Sequence, residues 1–166
     1  MLFRSLRILK PLFEDESILK IAHDMKFFAV LLAQRGIALP SIDDPILMSY
    51  VLDAGRNSHG FSELCRLHLN HELTAEEAMT GKGRDRLPLE RVGVKEASHY
   101  ASERADCALR LAALLKPRLA AERRVTVYET LERPLVPVIC DMERAGVMVA
   151  PEFLGKLSND FALSMA

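Results

Sequence analysis

The sequence predicts a mostly helical domain that retains a small α+β remnant. Three observations lead there. Apolar residues recur at helical spacing over 26–36 and 95–115. Helix-start patterns recur at Asp44-Pro45, Ser62 and Thr74-x-x-Glu77. Few stretches, chiefly 18–22 and 37–42, have the length and apolar content of strands.

Taken in order, Leu9 to about Asp15 reads as a short amphipathic helix, and Ile18 to Ala22 as a strand-length apolar run. Lys26 to Gly36 reads as a helix, with Phe27, Phe28, Val30, Leu31 and Leu32 apolar and Gly36 as its stop. The stretch from Ile37 to Ile42 is broken by proline and is at best a weak strand. Asp44 suits an N-cap with Pro45 at N1, and the helix that follows should reach Gly55. Ser62 should cap a helix from Glu63 to about Leu69. Thr74-x-x-Glu77 has the form of a capping box opening another. Lys95 to about Leu115 should be a long amphipathic helix ending before Pro117. Helix then resumes from Arg118 to Leu131. Pro134 fits the first turn of a further helix and Gly146 its C-cap, with a short strand over Val147-Met148-Val149.

A chain of 166 residues suits one domain, or one domain with a fragment of another. The hydrophobic share of 49% and charged share of 27% are those of a soluble globular protein. A net charge of −1 exerts no global pull on nucleic acid, so DNA contact must come from local basic clusters. No apolar run approaches membrane-spanning length. The N-terminus lacks the apolar core and cleavage site of a signal peptide. Cys65, Cys107 and Cys140 are odd in number and widely spaced, which points to free thiols in a reducing cytoplasm.

Several polar clusters are candidates for binding. Cys65-x-x-His68-x-x-His71 has metal-ligand residue types. Three-residue steps on a helix place successive side chains about 60° apart, so two could share an ion but three would strain. Structural zinc usually takes four ligands, which leaves a solvated helix end as the plainer reading. Arg56 and His59 lie in a polar loop. Lys82, Arg84 and Arg86 surround Asp85 in a Gly-rich loop. Lys116, Arg118, Arg123 and Arg124 form a second basic stretch. No aromatic side chains interleave with either, so no stacking platform for single strands is evident.

The segment Glu132-Arg133-Pro134-Leu135-Val136-Pro137-Val138, followed by Met142-Glu143 and Gly146-Val147, resembles the opening of the polymerase domain in the bacterial DNA polymerase I family. Upstream, Leu9-Lys10-Pro11-Leu12-Phe13-Glu14-Asp15-Glu16, Ser49-Tyr50-Val51-Leu52-Asp53-Ala54-Gly55-Arg56, His59-Gly60, Glu63-Leu64 and Gly81-Lys82-Gly83 are similar, in order, to that family's proofreading exonuclease domain. Tyr100-Ala101-Ser102-Glu103 with Ala105-Asp106 resembles its third exonuclease motif. The resemblance implies a truncated ribonuclease-H-like 3'-5' exonuclease domain over 1–124, without its first strands. A helical stub of the polymerase domain is implied over 125–166.

The family's exonuclease chemistry uses two divalent metals, Mg²⁺ or Mn²⁺, held by carboxylates from three motifs, with a tyrosine orienting the attacking water. By that resemblance the first motif, an Asp-x-Glu, would precede Met1. The second, Asn-x-Lys-Tyr-Asp, stands here as Asp24-Met25-Lys26-Phe27-Phe28, so Phe28 takes the carboxylate position. In the third, Tyr100 is kept and Arg104 takes the place of the aspartate. Asp106 is two residues away, roughly 200° around a helix, and is a poor substitute. Catalysis is therefore not expected of this chain, nor a bound cofactor. Polymerase activity is not expected either, because the family's nucleotide-binding and metal-binding parts lie downstream of the matching segment.

The resemblance places Arg56 and His59 where relatives approach the DNA strand, and the positive charge of Lys82 and Arg84 suits phosphates, so weak, salt-sensitive contact with DNA is expected at these four residues. Without central strands, the apolar faces around Phe27, Leu31, Ala108, Leu111 and Leu114 should lose their floor. That implies self-association or a protein partner. The alternative function is thus one piece of a split polymerase, or a helical interaction module completed by another chain.

Overall fold

The computed structural model describes residues 2–83 and 86–165, so Arg84 lies outside the described residues. The elements are α1 (Leu2–Glu14), β1 (Lys20–Ile21), α2 (Met25–Ala33), β2 (Ile42–Asp43), α3 (Pro45–Asp53), α4 (Phe61–Leu64), α5 (Glu76–Thr80), α6 (Val94–Ala121), α7 (Val125–Val127), α8 (Arg133–Ala145) and α9 (Pro151–Met165). A π-helical turn, Cys65–Leu69, extends α4, and another, Tyr128–Glu132, joins α7 to α8. The expectation of a mostly helical chain holds. Among the described residues no helix is long and apolar enough to cross a membrane.

The strands β1 and β2 pair in parallel, Lys20 opposite Ile42 and Ile21 opposite Asp43. Parallel strands need a crossover, and α2 supplies it. Asp44 organises both ends of this unit. Its side chain accepts from Ile46 N–H (3.0 Å), capping α3, and from Met25 N–H (2.7 Å) and Asp24 N–H (3.1 Å) at the start of α2. The predicted Asp44-Pro45 start is thus present, and it also fixes a second helix.

Three apolar clusters form the core. Met48 and Leu52 of α3 pack against Ala112, Leu115 and Leu119 of α6, with Tyr128 between them. Met25 and Ile42 meet Val136 and Cys140 of α8. Leu64 and Cys65 meet Cys107 and Leu111. Packing runs across residue 124, since Tyr128, Val136 and Cys140 all lie beyond it.

Several local expectations are corrected. Ser62 does not cap α4; Gly60 holds the N-cap position. The Thr74-x-x-Glu77 box does not form, and α5 starts after Ala75 with no side-chain cap. The reason is tertiary: the Thr74 N–H is taken by the Glu103 carboxylate (3.0 Å). The long helix does not stop before Pro117 but runs to Ala121. Pro117 and Ala113, whose carbonyl has no N–H partner across the proline, both face solvent, so water can satisfy that carbonyl. Val147 to Val149 is not a strand; Val147 and Met148 are 90% and 98% exposed, and neither described strand lies beside them. The expected loss of floor is partial. Phe27, Leu31 and Leu114 are exposed, but Ala108 and Leu111 are buried, because the α4 extension covers that face of α6.

Candidate functional site

The two positions where the resemblance expects metal carboxylates carry side chains held by quite different partners. Phe28 is on α2, 40% exposed, with its ring edge-on to Phe27 at 5.4 Å. Arg104 is on α6, one turn after Tyr100. Its guanidinium lies over the Tyr100 ring, 3.3 Å from the centroid, a cation–π contact. Arg104 Nη2 donates to the Thr74 carbonyl (3.1 Å). Its Nη1 is buried without a hydrogen bond and lies 3.7 Å from Glu103 Oε2.

Glu103 and Arg104 together satisfy both backbone polar groups of Thr74, one accepting from its N–H and the other donating to its carbonyl. Glu103 also pairs with His71 Nε2 at 2.9 Å. Burial alone would raise the Glu103 carboxyl, but His71 and the Thr74 N–H hold it below the usual range. His71 is therefore engaged with a carboxylate. Cys65 is buried beside Cys107, and burial pushes its thiol up to about 12. Among the described residues no three His, Cys, Asp or Glu side chains are placed to hold a metal.

A divalent ion does not fit the residues at the motif positions. An aryl ring offers no oxygen ligand, and a guanidinium is a fixed cation that repels one. The Tyr100 face is moreover covered by Arg104.

The residues expected on the DNA side are dispersed in environment. The Arg56 side chain is 77% exposed and pairs with Asp53 at 3.3 Å. Lys82 is exposed. Arg86, in the same loop, bonds to Glu76 at 2.5 Å. His59 is buried instead of lying in open solvent. Its Nδ1 is 2.8 Å from Ser49 Oγ, its N–H donates to Asn57 Oδ1 (2.8 Å), and its carbonyl accepts from His23 Nε2 (3.1 Å). It sits at φ 55°, so this is a tied corner of the loop.

The residues missed by sequence reasoning are carboxylates that tie the elements together. Asp43 is fully buried and accepts from Tyr128 OH (2.9 Å), Arg133 Nη1 (3.4 Å) and Lys116 Nζ. Asp53 takes both Nη atoms of Arg118, at 3.1 and 3.3 Å; these bonds hold its carboxyl below the usual range. Their sequence signal is slight: an acidic residue near each end of α3, and basic residues on α6 and α8.

The fold and the order of the sequence segments point to a 3'-5' exonuclease-type domain, and comparison with known proteins gives the family. A model described as 3'-5' exonuclease, of the DNA polymerase A type, matches residues 2–120. The chain belongs to this family, that of the proofreading exonuclease domain of DNA polymerase I. It is 44% identical to DNA polymerase I of Rhizobium leguminosarum over 158 residues, which cover 95% of this chain and 16% of that protein. It is 36% identical to DNA polymerase I of Pseudomonas aeruginosa over 164 residues, covering 96% of this chain and 18% of the relative. The chain thus spans less than a fifth of these relatives' length. In fold, it resembles the POL domain of Pol1 from M. smegmatis in complex with DNA primer-template and dNTP. There the TM-score is 0.74 at 24% identity, over 96% of this chain and 24% of that one. It also resembles Brucella melitensis NrnC, with a TM-score of 0.69 at 22% identity, over 83% of this chain and 64% of that one.

Proposed function

We propose that this chain is a DNA polymerase I-type exonuclease segment that no longer supports metal-dependent cleavage and keeps weak, salt-sensitive contact with DNA. The observation that carries this reading is the Arg104 guanidinium stacked over Tyr100, where the family has a metal-binding aspartate. Phe28 at the second position is consistent with it. Arg56, Lys82 and Arg84 are the side chains assigned to phosphate contact, and His59 shapes the loop that presents Arg56. Residues 1–124 are read as the exonuclease-like part, a partial ribonuclease-H-like fold, and 125–166 as the opening of the polymerase part, in a cytoplasmic protein.

The test is incubation of the purified chain with end-labelled single-stranded DNA in Mg²⁺ or Mn²⁺. No shortening is expected. A ladder of 3'-shortened products that EDTA abolishes would overturn the proposal.

A second reading is favoured by one observation. Phe27, Phe28 and Leu31 expose an apolar face on α2. On this reading the face is covered by a second chain, and sedimentation at rising concentration tests it; a monomer throughout argues against it.

A further inference from the structure

We infer that the turn between α6 and α7 is a phosphate-binding corner for a nucleic-acid strand, formed by Arg123 and Arg124 with Arg118 and Arg56. This rests on the reading above that the chain retains DNA contact, and it adds a second place of contact besides the loop of Lys82 and Arg84.

The first observation is backbone geometry. Helix α6 ends in a Schellman turn: Arg124 N–H reaches the Leu119 carbonyl (2.7 Å) and Arg123 N–H the Ala120 carbonyl (3.2 Å). The residue at the left-handed position is Arg123, with φ 56°. Glycine is the residue that adopts this conformation without steric cost. The chain places glycine at positive φ after α2, α3, α5 and α8, at Gly36, Gly55, Gly81 and Gly146, and after the α4 extension it places Asn70, a residue type that also tolerates this conformation. At α6 an arginine holds that place. An outlier of this kind points to a use for the side chain itself.

The second observation is charge. Arg123 and Arg124 are both exposed, and among the described residues neither side chain has a hydrogen-bond or ion-pair partner. The guanidinium groups elsewhere on this end of the molecule are paired. Arg56 meets Asp53, Asp53 meets Arg118, and Arg118 meets Glu122 at 3.0 Å. This ladder of ion pairs leads from the Arg56 loop to the residue just before Arg123. Four arginines face two carboxylates, a local surplus of positive charge in a chain whose net charge is −1. Arginine forks match phosphate oxygens in two-point contacts, and such a row suits a backbone of repeated phosphates. The corner has no aromatic ring for base stacking, so the contact is to the backbone and independent of sequence.

Fluorescence anisotropy with a labelled 3'-tailed duplex and a labelled single strand, at about 50 and about 200 mM salt, tests the assignment. The variants are Arg123→Gly, Arg124→Gln, the pair, and Lys156→Gln on α9 as a control for each single loss of charge. The pair should bind roughly tenfold more weakly at low salt. Its log–log salt slope on duplex should be shallower by roughly 0.9 for each phosphate it no longer neutralises. Lys156→Gln should match wild type. Arg123→Gly should lose affinity while its melting temperature holds or rises, which a merely structural arginine would not do. Wild-type affinity and slope in the pair variant would overturn the corner and leave the DNA-contact reading standing. A wild type that binds neither probe at low salt would overturn both. Arg123→Gly losing melting temperature together with affinity would overturn the role given to its side chain.

Discussion

The Tyr128 hydroxyl donates to Asp43 Oδ1 over 2.9 Å, and its phenolic oxygen accepts the Asp44 N–H at 3.2 Å. Both Tyr128 and Asp43 are fully buried. One phenol therefore bolts the segment after α6 to the end of β2. Burial, the first cause, and the neighbouring carboxylates push its own proton affinity up, so it remains a donor. Tyr128→Phe should leave a buried carboxylate and a buried N–H short of a partner, costing roughly 1–3 kcal/mol. For a chain of this size each kcal/mol lowers the melting temperature by roughly 2–4 °C. A calorimetric scan with an unchanged midpoint would contradict the bolt.

Replacing Arg104 should cost stability and not restore a metal site. Arg104→Asp removes the stacking on Tyr100 and the bond to Thr74, and sets a carboxylate beside Glu103. A loss of roughly 1–3 kcal/mol is expected by chemical denaturation, with Arg104→Lys intermediate because an ammonium cannot stack and fork as a guanidinium does. Wild type should show no rise in melting temperature with Mn²⁺. A metal-dependent rise in wild type would count against the reading of the site.

Acid should destabilise the protein through Asp53 and Glu103. Each has a folded-state pKa below its ordinary value: Asp53 through its bonds to Arg118, and Glu103 through His71 and Thr74 against the raising effect of burial. A depressed carboxyl contributes stability above its unfolded pKa, near 4 for both types, and that contribution is lost as pH falls through the lower folded value. The loss should therefore lie below about pH 4. Asp44 acts in the opposite sense, because burial raises it to about 6 despite three N–H donors. Its contribution is present below the unfolded value and lost as pH rises through the folded one. Denaturation midpoints across pH should thus be less steep on the acid side in Asp53→Asn than in wild type. An unchanged acid slope would rule out Asp53 as a source.

The rings of Phe27 and Phe28 on α2 are 57% and 40% exposed, so each is also partly buried. Phe27→Ser with Phe28→Ser should therefore lower the melting temperature modestly while leaving the chain folded. If that face drives association, the double variant should sediment as a smaller species than wild type at the same concentration. Equal sedimentation would remove α2 as an association face.

Part of the molecule is legible from local pattern. The α3 start at Asp44-Pro45, the Gly146 stop of α8 and the helical period of α6 depend on groups a few residues apart, and sequence records those directly. The spacing also sets Arg104 one turn after Tyr100 on α6, which brings the guanidinium over the ring. The loop at His59 is not legible in this way. Polar composition marks a turn but does not say that Ser49, His23 and Asn57 will bury and bind its histidine.

The sequence by itself determined the helical class and the family, and by resemblance it sets Phe28 and Arg104 where the family has carboxylates. These follow from residue identity and short-range spacing. Tertiary structure decided the rest. It turned Thr74 from a predicted capping residue into the backbone held by Glu103 and Arg104. It carried α6 past Pro117 along a solvent-facing side, and joined Asp43 to Tyr128 across 85 residues. Such pairings depend on which distant polar groups are buried together, where an unpaired group costs roughly 1–3 kcal/mol, enough to override a local preference worth a fraction of that.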